Sequence, residues 1–95
     1  LINWKTIEHD TPGKNEPITT WVATNISQVD LTVQRFLVNE KDMDDGWNGY
    51  VMNCPPMYTR SYLSSGNQFD AKHEALDNLK RGLKATIEEI DSLVA

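Results

Sequence analysis

Three groupings in this chain carry side chains able to do chemistry. One is a lone thiol, Cys54, with two histidines, His9 and His73. The second is the acidic run Asp42, Asp44, Asp45. The third is a set of aromatics around an arginine, Tyr58, Arg60 and Tyr62. Cys54, His73 and an acid are the ingredients of a thiol triad. However, Cys54 is followed by Pro55 and Pro56, whereas strong thiol nucleophiles favour helix N-termini that lower their pKa. His9-Asp10 could orient a base, but the sequence sets no Ser or Cys nucleophile beside it.

The acidic run suggests calcium. A calcium loop of the EF type needs glycine at its sixth position and a bidentate carboxylate at its twelfth. With Gly46 sixth, Lys41 falls first; with Asp42 first, Asn53 falls twelfth. Neither register works, and a solvated turn is the expectation. Glycine-rich phosphate loops, zinc spacings and paired-carboxylate signatures are absent. The expectation is therefore no enzyme, no catalytic residues, no cofactor and no metal.

The aromatics carry more information. There are three tryptophans and three tyrosines, and Tyr50, Tyr58 and Tyr62 fall close together. Aromatic residues and arginine are enriched in the energetic centres of protein interfaces. Trp47, Tyr50, Tyr58, Arg60 and Tyr62 are accordingly the expected partner-binding residues. Aromatic rings also stack on single-stranded bases, but the net charge of −5 opposes phosphate binding. The imbalance is spread along the chain: residues 1–66 hold five basic and eight acidic groups, and residues 67–95 hold four and six. Nucleic acid is thus a disfavoured partner and a basic protein a suitable one.

These residues need elements to position them. Phe69, Leu76, Leu83 and Ile90 recur every seven residues, with Leu79, Leu93, Ile87 and Val94 on adjoining rows. That spacing predicts one long amphipathic helix over about 67–94. Asn67 is the candidate N-cap, Asp70 the competing one. Gly82 sits inside the helix at a cost of about 1 kcal/mol relative to alanine. Close approach of an aromatic ring from a sheet would offset that cost.

Upstream, Ile18–Ile26, Leu31–Glu40, Trp47–Cys54 and Met57–Ser64 read as strands. Residues 1–9 fit a strand or a helical turn. Residues 10–17 hold Pro12, Gly13, Asn15 and Pro17 and read as a loop. Leu31–Glu40 has apolar groups on both sides, which suits the middle of a sheet. Asp45-Gly46 and Asn48-Gly49 both favour turns; one is expected to make a hairpin and the other a bulge. Strict alternation in Met57–Ser64 puts Tyr58, Arg60 and Tyr62 on one face.

The short links favour antiparallel pairing, since parallel strands need long crossovers. The expected fold is α+β in one domain spanning 1–95. Three to five antiparallel strands lie within 1–64, and the long C-terminal helix packs across one face. If the whole stripe is covered, its burial contributes about 15 kcal/mol before entropy. Leu83→Ala then costs about 2–5 kcal/mol.

Strands, a proline break at Pro55-Pro56-Met57 and a helix reading Glu74-Ala75-Leu76-Asp77-Asn78-Leu79 together resemble the HicB family of antitoxins. The resemblance spans Gly46 to Ile90. It implies a small sheet with a helix packed on it, in a protein that neutralises an RNA-cutting toxin. Pro55-Pro56-Met57 departs from that family's Pro-Asp-Leu-Pro-Gly style of loop, so no residue roles follow from it.

One cysteine forms no intrachain disulfide, and no apolar run approaches the length of a membrane span. No signal peptide is visible. Asn25-Ile26-Ser27 spells a glycosylation acceptor, read as chance. A cytoplasmic location follows as the expectation. The leading functional expectation is a small acidic intracellular protein that binds another macromolecule as a regulator or inhibitor. The alternatives are a homodimeric structural or accessory protein, a HicB-like antitoxin module, and a small-molecule binder with a pocket between Trp47, Tyr50 and the helix.

Overall fold

The computed structural model describes residues 1–9, 18–38 and 47–94; the side chains of Ile18, Leu37, Val38, Trp47 and Asn48 lie outside that description. Five strands precede one helix: β1 (Trp4–His9), β2 (Ile18–Ala23), β3 (Thr32–Val38), β4 (Trp47–Cys54), β5 (Tyr58–Leu63) and α1 (Gln68–Val94). All strand pairs are antiparallel, and the sheet order follows the chain, β1-β2-β3-β4-β5. The fold is α+β, with α1 lying on the sheet. Residues 1–9, ambiguous by periodicity, form an edge strand because β2 offers them a partner. The expected loop at 10–17 and the polar stretch 41–46, with Asp45-Gly46, lie outside the described residues. Asn48-Gly49 is not a turn: it lies within β4, opposite Leu37 and Phe36.

Residues directly opposite in an antiparallel ladder share a face. One face carries Thr6, Trp21, Val33, Met52 and Ser61 in one row and Thr19, Arg35, Tyr50 and Leu63 in the next. The helix covers this face over β3, β4 and β5. Leu31, Val33, Met52, Cys54, Ala71 and Ala75 are fully buried between the two layers. The opposite face carries Ile7, Thr20, Gln34, Val51 and Tyr62 in one row, with Phe36 over Gly49. A Cβ on Gly49 would stand 2.7 Å from Phe36 Cε2, so only glycine lets that ring lie flat across the strand.

The helix sits differently from the expected stripe. Its buried ridge is Ala71, Ala75 and Leu79. Alanines bring the helix backbone close to the sheet, and the larger Phe69 and Leu76 are displaced to the rim; Phe69 remains 67% exposed. Beyond Gly82 the helix leaves the sheet. Leu83, Ile87, Ile90, Leu93 and Val94 are 40%, 59%, 53%, 76% and 77% exposed. The expectation that the whole stripe is covered is therefore wrong for its C-terminal half, and so is the burial gain assigned to it. The reason is length: a 27-residue helix is about 40 Å long, and a twisted five-strand sheet is narrower than that. The molecule accordingly measures 55 × 29 × 21 Å.

Local contacts fix the helix at its other end. Asn67 caps it, with Oδ1 accepting from the Asp70 amide at 2.9 Å. Glu74 accepts from the Ser64 amide at 2.9 Å and from the Ser65 hydroxyl at 2.7 Å. Gly82 lies against β5, as the sequence suggests. A Cβ there would stand 3.2 Å from Tyr58 Cε2, and the Tyr58 hydroxyl donates to the Asn78 carbonyl at 2.7 Å. Among the described residues no helix is long and apolar enough to cross a membrane.

Candidate functional site

Of the residues expected to bind a partner, the four with described side chains, Tyr50, Tyr58, Arg60 and Tyr62, do not share one surface. Alternation in β5 breaks at a bulge: Met52 pairs with Ser61 and Cys54 with Tyr58, so Thr59 and Arg60 on β5 oppose the single residue Asn53 on β4. Arg60 takes a left-handed conformation, φ 45°, and its amide donates to Asn53 Oδ1 at 2.9 Å. The extra residue turns Tyr58 toward the helix and leaves Tyr62 on the opposite face, 72% exposed and edge-on to Phe36 with ring centroids 5.8 Å apart. Tyr58, Arg60 and Tyr62 on one face is thus corrected. Tyr50 points to the helix side and is buried. Trp47 pairs with Val38 in the ladder, and its side chain lies outside the described residues.

Tyr50 belongs instead to a cleft. α1 covers β3–β5, and beside its start the same sheet face borders this cleft, with Thr19, Trp21 and Ala23 of β2 buried. The cleft, of about 510 Å³, is lined by Thr6, Glu8, Thr19, Trp21, Arg35 and Tyr50, with residues 66–68 as its wall. Trp21 and Tyr50 form the floor, ring centroids 6.2 Å apart. A second, more apolar cleft of about 390 Å³ adjoins it, between Ile2, Trp4, Phe69, His73 and Leu76. Lys72 stands between the two, its Nζ 5.1 Å from the Trp21 ring centroid and 5.6 Å from that of Trp4. Burial lowers the Lys72 pKa, and the two ring faces stabilise its charged form. Trp4 is held in place from the N-terminal side. Asn25 Nδ2 donates to the Leu1 carbonyl at 2.8 Å, and the Asn3 amide donates to Asn25 Oδ1 at 2.8 Å. The amide of the Asn25-Ile26-Ser27 sequon is engaged in that tie.

Chemically, the larger cleft offers an aromatic floor, two hydroxyls and one charge of each sign. That set can hold a small polar ligand or a side chain of a partner. Cys54 is fully buried. Burial first, and the Asp30 charge second, push its thiol pKa up, which opposes thiolate chemistry. His73 lies exposed with its ring 4.6 Å from that of Phe69. His9 is exposed opposite Ile18 at the end of β1, while Asp10 lies outside the described residues. Asp42, Asp44 and Asp45 also lie outside them. Among the described residues no group of His, Cys, Asp and Glu could hold a metal ion.

Sequence reasoning missed Trp21, Trp4, Lys72 and Arg35. The first two fall into register only once β1 pairs with β2, and β1 has no clear period. The signal available was the alternation Trp4, Thr6, Glu8.

No protein-family model matches the chain, and no curated protein or solved structure is similar to it. The comparisons thus add nothing to the HicB resemblance.

Proposed function

We propose that this protein is a small interaction module that acts by binding another macromolecule, as a regulator or inhibitor, and has no catalytic role of its own. One observation carries the reading. Leu83, Ile87, Ile90, Leu93 and Val94 form a continuous apolar row on a helix half that stands clear of the sheet. Contiguous exposed apolar surface of that kind marks interaction sites in soluble proteins. A helix presenting anchors at spacings of three and four is a recurrent recognition form. The net charge of −5 suits a basic protein partner and disfavours nucleic acid. The single buried Cys54 fits a cytoplasmic setting.

The test compares the wild-type chain with an Ile87→Glu, Ile90→Glu variant as baits in affinity capture with mass spectrometry. The expected result is a set of proteins enriched by the wild type and lost by the variant. The same profile from both would overturn the reading.

A second reading rests on the clefts flanking Lys72. Their volumes of about 510 and 390 Å³ lie in the range of small-molecule sites. It is supported by a compound that raises the Tm of the wild type and not of Trp21→Ala. It is overturned if a thermal-shift screen yields no such compound.

A further inference from the structure

The exposed helix half has a feature that points to a particular occupant. Leu83, Ile87, Ile90 and Val94 are spaced four, three and four residues apart, which is the seam of a two-stranded coiled coil. They continue the ridge Ala71, Ala75, Leu79 that packs on the sheet, so the apolar face runs off the sheet without a break. The charges beside it are segregated along the helix. Lys80, Arg81 and Lys84 come first, and Glu88, Glu89 and Asp91 follow. From this we infer that the projecting half of α1 pairs antiparallel with the same segment of a second copy of this chain. The inference rests on the interaction-module reading only in taking the helix face as a docking surface; its occupant is a second copy of this chain in place of the basic partner named there.

The geometry works as follows. A two-fold axis between Ile87 and Ile90 sets Ile87 against Ile90 of the second copy and Leu83 against Val94 of the second copy. This gives four apolar layers in which every seam residue finds an apolar counterpart. An isologous contact of this kind is self-complementary and closes as a dimer. On one flank the same axis sets Lys84 of each copy beside Asp91 of the other. A parallel pair would instead set Lys84 and Asp91 level with their own copies and would form neither of these opposite-charge contacts. The loss of both Lys84–Asp91 contacts selects against it. Leu93 lies on the other flank, facing Thr86 of the second copy, and extends the apolar contact.

Two further observations agree. The pairing ends level with Leu83, which is where the helix leaves the sheet, so the two sheets lie at opposite ends of the seam. A helix segment of this length is marginal in water by itself and gains its stability from packing of its apolar face. Nothing in the described part of the chain supplies that packing.

Sedimentation velocity and light scattering of the purified chain from about 10 μM to about 1 mM, spanning weak to moderate affinities, test the proposal. The expected result is a monomer–dimer equilibrium. Ile87→Asp abolishes the dimer while leaving the sheet and its cooperative unfolding intact, since Ile87 is not part of the core cluster or packed against it. Lys84→Asp and Asp91→Lys each weaken the dimer about tenfold through two symmetric like-charge contacts, and the double variant restores it. A monomer throughout the range overturns the proposal. So does a dimer that Ile87→Asp leaves unchanged, or charge variants that fail to compensate one another. A monomer whose affinity-capture profile still changes with Ile87→Glu, Ile90→Glu would overturn the second copy as partner and leave the interaction-module reading standing. An unchanged profile would remove that reading instead.

Discussion

Leu79 and Leu83 are one helical turn apart and identical in type, yet they stand in different environments. Leu79 is 4% exposed in the layer between helix and sheet; Leu83 is 40% exposed where the helix departs. Leu79→Ala is expected to cost about 2–5 kcal/mol in urea denaturation, because it opens a cavity that the surroundings fill only in part. Leu83→Ala should cost much less in a monomer, since most of what it removes already meets water. Equal losses would show that the helix seats differently. Glu74 gives a pH signature. Burial alone would raise its pKa above the ordinary 4.5, but hydrogen bonds from Ser64 and Ser65 outweigh this and lower it. A carboxyl with a folded-state pKa below its unfolded value stabilises the fold fully above the unfolded value. That contribution is lost as pH falls through the folded value. Glu74→Gln should therefore be less stable than wild type at neutral pH, with the gap closing below pH 4.5. A gap that persists in acid would exclude the ionised contact as its source. Sequence patterning ranked the leucines correctly as apolar but passed over Ala71 and Ala75. Alanine contributes little to a hydrophobic stripe; its value here is its small size, which only the close approach of a sheet reveals.

At the scale of the element, β5 and α1 meet at a glycine and a ring. Gly82 to alanine in an exposed helix interior gains about 1 kcal/mol. Here the added methyl would stand 3.2 Å from the Tyr58 ring and hydroxyl and from Met57 Sδ. Met57 can yield, but Tyr58 is pinned through its bond to the Asn78 carbonyl. Gly82→Ala is thus expected to be no more stable than wild type, while the same change in a Tyr58→Ala background recovers the helical gain. Thermal melts of the four proteins close this double-mutant cycle. The glycine and its aromatic neighbour were legible together, because a costly residue in a strong helix asks for a reason. The bulge in β5 was not. Its left-handed residue is Arg60 rather than glycine, and it is held by the Asn53 side chain from the neighbouring strand. A period-two reading has no means of seeing one extra residue whose support comes from another strand. That single shift separates Tyr58 from Tyr62 and divides the aromatic set between the two faces.

For the whole molecule, the consequence is an elongated body with a compact end and a projecting end. Amide exchange should divide accordingly. Amides of residues 72–79 are expected to be protected to near the global stability, and those of residues 84–93 to exchange rapidly in dilute protein. If the projecting segments pair, protection of 84–93 rises with protein concentration while that of β3 and β4 stays level. Uniform protection at all concentrations would mean that the helix is held along its full length by its own chain.

The amino-acid sequence by itself determined four of the five strands, the helix and its cap, and the antiparallel class. Those depend on contacts within a few residues: alternation, heptad spacing, an Asn67 side chain reaching Asp70, and links too short for crossovers. It did not determine which ridge of the helix is buried, how far the sheet extends beneath it, or which faces the aromatics occupy. Those are set by the width of an assembled sheet, by the register between strands distant in the chain, and by how closely two layers can approach. Only the tertiary structure holds that information. It is also what leaves the last four turns of the helix with an apolar face and no cover among the described residues.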